Sequence, residues 1–89
     1  TSNEKAMLGW QRLASLYRYE MNWQGEVNAL VEYCLVPEIP FSELSNSANG
    51  INRLFNENKT FVDSLEKRIS IEKVTKVFEN RIRKEKYHR

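Results

Sequence analysis

Ala6, Met7, Trp10, Leu13, Ala14, Tyr17 and Met21 recur at three- and four-residue steps, the spacing that lays side chains along one face of an α-helix. They predict a first helix from about Asn3 to about Trp23, with Ser2 or Asn3 as its cap. A second apolar set, Leu8, Leu16, Tyr19 and Trp23, gathers on the opposite side, interrupted by Arg12 and Ser15. A helix that is apolar on two faces is either central to its fold or docked to another molecule. Leu8, Arg12, Leu16, Tyr19 and Trp23 are therefore the candidate partner-binding residues, since Tyr and Trp are the types that anchor interfaces. The plainer alternative is that these rings fill a wrapped core. Gly9 lowers helix propensity and would allow a neighbouring helix to approach closely.

Val27, Leu30, Val31, Cys34 and Leu35 form a single clean stripe and predict a second helix from about Gln24 to Leu35. Asn22 is its expected cap, with Glu26 in the first turn and Gly25 permitting a bend. The run Val36-Pro37-Glu38-Ile39-Pro40-Phe41 is the firmest loop, because each proline turns the residue before it away from helical geometry. Pro37-x-x-Pro40 also matches a ligand for SH3-type domains in form, although a single match in a short connector points first to a connector. Ser42 is the expected cap of a third helix, whose apolar face is Leu44, Ala48, Ile51, Leu54 and Phe55. Its middle, residues 45–50, is a poor helix former, so a start near Ser47 or Asn49 is the alternative. Residues 56–59 link it to the last third of the chain.

That last third contains a discontinuity. Thr60 and Asp63 have the spacing of a capping box, and Val62, Leu65 and Ile69 then follow as one stripe. Ile71, Val74, Phe78 and Ile82 make a second stripe, offset from the first by about half a turn at ~100° per residue. Two helices meeting at Ser70, over 60–69 and 71–87, satisfy both stripes. The pair resembles the helix-turn-helix layout, without the glycine such turns often carry. Two bundle helices meeting at a corner are the plainer and preferred explanation. The expected architecture is thus all-α: a compact bundle of four to five helices in a single domain over residues 1–89.

Charge separates the two ends. From Lys67 to Arg89 there are nine Lys and Arg against three Glu, a net of +6; the first 66 residues have five against nine, a net of −4, and the chain carries +2 overall. A basic helix end can meet phosphates or an acidic partner. On that alternative, nucleic acid would be held by Lys73, Lys76, Arg81, Arg83 and Lys84. Glu72, Glu79 and Glu85 interrupt the basic run.

Eighty-nine residues with 40% hydrophobic and 29% charged content suffice for one modest core. The one cysteine, Cys34, falls on an apolar face, and the one histidine, His88, sits beside the C-terminus. A Cys–His nucleophile and a zinc site are therefore not expected. There is no glycine-rich phosphate loop and no recognised hydrolase or metalloprotease motif, and the carboxylates, Glu26, Glu32, Glu57 and Glu66 among them, fall where solvation is expected. No catalytic residue, cofactor, metal or small-molecule substrate is assigned, and no enzyme is expected. No stretch is long and apolar enough to span a membrane. Cysteine poverty points to an intracellular setting, nuclear or cytoplasmic, with the basic tail inclining toward the nucleus. Asn58-Lys59-Thr60 fits a glycosylation acceptor, which such a setting would leave unused. The opening Thr1-Ser2-Asn3 suggests a piece of a larger protein. The function expected is a helical protein–protein interaction module, for docking or for oligomerisation.

Overall fold

The structure, a computed structural model, describes residues 1–87. Four α-helices follow in order: α1 (Ser2–Tyr19), α2 (Trp23–Cys34), α3 (Phe41–Glu57) and α4 (Ser64–Tyr87), with a single 3-10 turn (Lys59–Phe61) before α4. The described residues contain no strand. The all-α class stands, and the described residues contain no fifth α-helix.

α2 is the shared partner: α1, α3 and α4 each pack against it. Its buried residues Val27, Val31, Tyr33 and Cys34 join Ile39 from the following loop, Leu44, Ile51, Leu54 and Phe55 from α3, and Val74 from α4. Met7 and Trp10 of α1 reach this cluster only from its edge. Ala14 is the one buried residue of α1, so α1 lies at the side of the core.

α1 stops four residues earlier than its apolar pattern predicts. Its start is set by Thr1, whose hydroxyl accepts from the Glu4 amide while the Glu4 side chain returns to the Thr1 backbone, so neither Ser2 nor Asn3 is the cap. Its end is set by Asn22. That side chain accepts from the Gly25 amide at 3.0 Å and opens α2 as expected, and Met21 enters the left-handed region at φ 59° to make the corner. Met21 is therefore not core; it is 89% exposed. Gly25 does more than permit a bend, because a Cβ there would lie 2.5 Å from the Tyr17 ring. The absence of that atom lets α1 and α2 close on each other. Gly9 plays no such part within the chain, since nothing lies within 4 Å of where its Cβ would be.

The loop after α2 carries core of its own: Val36 is buried and Ile39 is fully enclosed, while Leu35 is exposed. Pro40, not Ser42, occupies the N-cap of α3, with no side-chain cap bond. α3 then runs unbroken through residues 45–50. Burial of Leu44, Ser47, Ile51, Leu54 and Phe55 along one face outweighs the weak propensity of that stretch.

α4 overturns the break at Ser70. The chain is helical from Ser64 through Tyr87, so the 60–69 and 71–87 pair does not exist. Thr60 sits in the 3-10 turn, and Asp63 caps α4, its Oδ1 accepting from the amides of Leu65 and Glu66 at 2.8 and 3.3 Å. The two stripes do face apart, and the fold buries only one. Val74 is buried, with Ile71, Val77 and Phe78 partly so, while Leu65, Ile69 and Ile82 remain exposed. One intact hydrogen-bond ladder is kept by leaving the first stripe in water.

Candidate docking surface

Four of the five residues assigned to partner binding share one surface. Because α1 packs on α2 by Trp10, Ala14 and Tyr17, the opposite side of the helix is left uncovered. Leu8, Leu16 and Tyr19 are 45%, 52% and 88% exposed, and Arg12 lies among them, also exposed. At 3.6 residues per turn they occupy an arc of about 80° centred away from α2. Lys5 falls within the same arc and is exposed. Its three-residue step to Leu8 was the signal that could have placed it there. Glu4, Ser15 and Glu20 border the arc, and no carboxylate lies inside it.

Trp23 departs from this set. It is the first residue of α2, its ring meets Phe55 edge-on at 6.5 Å between centroids, and it packs against the core. It also lines a cleft of about 340 Å³ between α2 and α4 together with Val62, Asp63, Glu66 and Ile69. Lys67 lies over the opposite element of this corner, its Nζ 6.0 Å from the Phe55 centroid. Trp23 therefore supports the joint between helices, away from the outer face of α1.

The basic candidates also divide. Lys73, Lys76, Arg83 and Lys84 fall within one arc of about 100° on α4, and among the described residues none is engaged in an ion pair. Arg83, Lys76 and Lys84 are exposed, as is Lys73. Arg81 faces the other way, half-buried, and its guanidinium donates to the Ile39 carbonyl. It ties α4 to the loop and is not available as a phosphate contact.

Missed in the sequence was the exposed apolar group at the start of α4, Phe61, Leu65 and Ile69. Leu65 and Ile69 belong to the first stripe of the last third, whose opposition to Val74 and Phe78 is the sequence signal that it stays outside, and Phe61 belongs to neither stripe. Glu26 is the converse case: read as solvated, it is buried. It sits in the first turn of α2, where the helix dipole favours a carboxylate, and lines two cavities that also contain Arg18.

Tyr33 and Cys34, both in the core, are held neutral. Burial, then the hydrogen bond from the Tyr33 hydroxyl to Glu43 Oε2 at 3.0 Å, pushes the Tyr33 phenol up to about 12. Burial pushes the Cys34 thiol up to about 11, which leaves it a packing residue with little thiolate at neutral pH. No group of three His, Cys, Asp or Glu among the described residues is placed to hold a metal ion. No described helix is long and apolar enough to cross a membrane. Comparison with protein-family models, with curated proteins and with solved structures gives no match, so the functional reading rests on this geometry.

Proposed function

We propose that the chain is a non-catalytic protein–protein interaction module of a larger intracellular protein, and that it docks or oligomerises through the outer face of α1. One observation carries the reading: Leu8, Leu16 and Tyr19 line a helix face that no described element covers. Leaving such a stripe in water forfeits roughly 25 cal/mol per Å² of apolar area, and a partner recovers it. Tyr19 at the end of the stripe supplies a large, stiff contact surface at little entropic cost.

A second reading is favoured by a separate observation, the shared arc of Lys73, Lys76, Arg83 and Lys84 on α4. It is contact with a nucleic-acid backbone along the length of one helix, with no helix-turn-helix. Neutralising phosphates in this way releases counterions, so affinity would fall steeply with salt.

Two pairs of substitutions test the two readings. Leu16→Asp combined with Tyr19→Ser should melt with the unaltered chain and lose at least tenfold of its association with proteins crosslinked to the wild type. Equal retention by the variant, or its unfolding, would remove α1 as the docking face. The same preparations titrated with duplex DNA at low and high salt decide the second reading: a flat titration at low salt ends it, and binding weakened by Lys76→Glu with Arg83→Glu supports it.

A further inference from the structure

The outer stripe of α1 is symmetric about Arg12. Reading outward from that residue, Leu8 is matched by Leu16, Gly9 by Ser15, and Lys5 by Tyr19. A stripe with this property is complementary to itself when a second copy lies antiparallel, because a two-fold contact uses the same patch twice and pairs residue i with j and j with i. We propose that the occupant of this face is a second copy of the chain, with α1 antiparallel to α1 and the two-fold axis beside Arg12. The inference rests on the docking reading above and names its partner.

Each layer of the pairing has a physical content. Leu8 meets the other copy's Leu16 on both sides of the axis, which removes four half-exposed leucines from water. Lys5 reaches the other copy's Tyr19, an aromatic that is almost wholly exposed within its own chain, and an ammonium over an aromatic face is attractive. Gly9 and Ser15 flank the axis and let the two backbones approach. This also accounts for a glycine in the interior of a helix where, within its own chain, nothing lies within 4 Å of the Cβ it lacks. An isolated glycine of that kind disfavours the helix and has no packing role in the monomer.

The axis itself brings two Arg12 guanidinium groups together. Like charges oppose each other there, and salt screens them. α1 has 18 residues, a length of about 27 Å at 1.5 Å per residue, and a single helix pair of that length buries less than a standard stable interface. The dimer is accordingly weak, and it tightens with added salt, opposite in sign to binding of a polyanion.

Sedimentation equilibrium on the full chain tests the register. Arg12 is exposed, so Arg12→Glu leaves the fold intact, which circular dichroism verifies. Arg12→Glu alone pairs glutamate with glutamate and should self-associate as weakly as the wild type. A one-to-one mixture places Arg12 against the introduced carboxylate at the axis, and should associate about tenfold more tightly than either parent. Leu16→Asp should abolish association in every combination. If the wild type self-associates and Leu16→Asp abolishes it, but the mixture is no tighter than its parents, the two-fold register about Arg12 is overturned while the docking face stands. If wild type and mixture both stay monomeric at the highest concentrations reached, the second copy is overturned as occupant; the retention experiment with Leu16→Asp and Tyr19→Ser then decides separately whether the face docks anything else.

Discussion

α1 and α4 pose the same puzzle in sequence and share one solution in structure. Each carries two apolar stripes on opposing faces, each packs on α2, and each buries only one of its stripes. They differ in what is left outside. The spare face of α1 is apolar along its length, with Lys5 and Arg12 interleaved. The spare face of α4 is apolar only at Leu65 and Ile69 and then becomes basic from Lys73 onward. They differ also at the boundary. Between α1 and α2 the pattern runs on and the chain breaks; at Ser70 the pattern breaks and the chain runs on. Breaks follow the backbone partners a residue can offer. Asn22 supplies an acceptor to the Gly25 amide and Met21 takes up the left-handed turn, while Ser70 stays within the ladder of α4.

The comparison can be broken most forcefully within α4. Val74→Asp puts an unpaired carboxylate into the shared core and should destabilise by about 3 kcal/mol or more, whereas Ile69→Asp on the spare stripe should change stability by less than about 0.5 kcal/mol. Urea unfolding of the two variants measures this, and equal losses would mean that both stripes are buried.

Alkaline pH acts on the element the two helices share. Tyr33 and Cys34 titrate at about 12 and about 11 in the fold against ordinary values of 10.0 and 9.0. Both are neutral when protonated and both have raised values. Their stabilising share is complete below about pH 9 and is lost as pH climbs toward 12. Stability should therefore decline through that window. Tyr33→Phe should flatten its upper part, as read by urea midpoints at each pH.

The smallest effect concerns the corner. Asn22→Ala removes the cap of α2 and should cost about 1 kcal/mol, lowering the urea midpoint without altering the slope. Ser70→Ala, inside α4, should be neutral or slightly stabilising. A larger loss at Ser70 than at Asn22 would reverse the account of where the chain is obliged to turn.

Much of this was legible beforehand. The stripe of Val27, Val31 and Cys34 marked α2 as a helix with one buried face, and Asn22 was visible as its cap; that three helices share α2 was not legible, because the helix with two apolar faces in the sequence is α1. The exposed group on α1 was legible as a surplus, since Leu8, Leu16 and Tyr19 oppose a complete core stripe. The role of Trp23 was not legible, because it lies four residues past the end of α1, beyond the corner at Met21, where the 3.6-residue period of α1 no longer says which way a side chain points. The continuity of α4 was hidden for a related reason. Periodicity reports which residues are apolar, and burial is decided by the reach of neighbouring elements. α4 overhangs the core at Leu65 and again at Ile82. Arg81 counted toward the basic run until its contact with Ile39, 42 positions away in sequence, drew it inward, and no local pattern encodes a contact of that range.

The same contact bears on the proline motif. Pro37-x-x-Pro40 is a possible ligand only while the segment can be laid out straight in a foreign groove. Ile39, at its centre, has no accessible surface, and its carbonyl is occupied by Arg81. A receptor reading these prolines would first have to withdraw an isoleucine whose burial is worth about 1.5–3 kcal/mol and release a charge-assisted hydrogen bond. The motif is thus masked in the native molecule and would become readable only where this segment has come apart, which would make its recognition a reporter of damage to the fold.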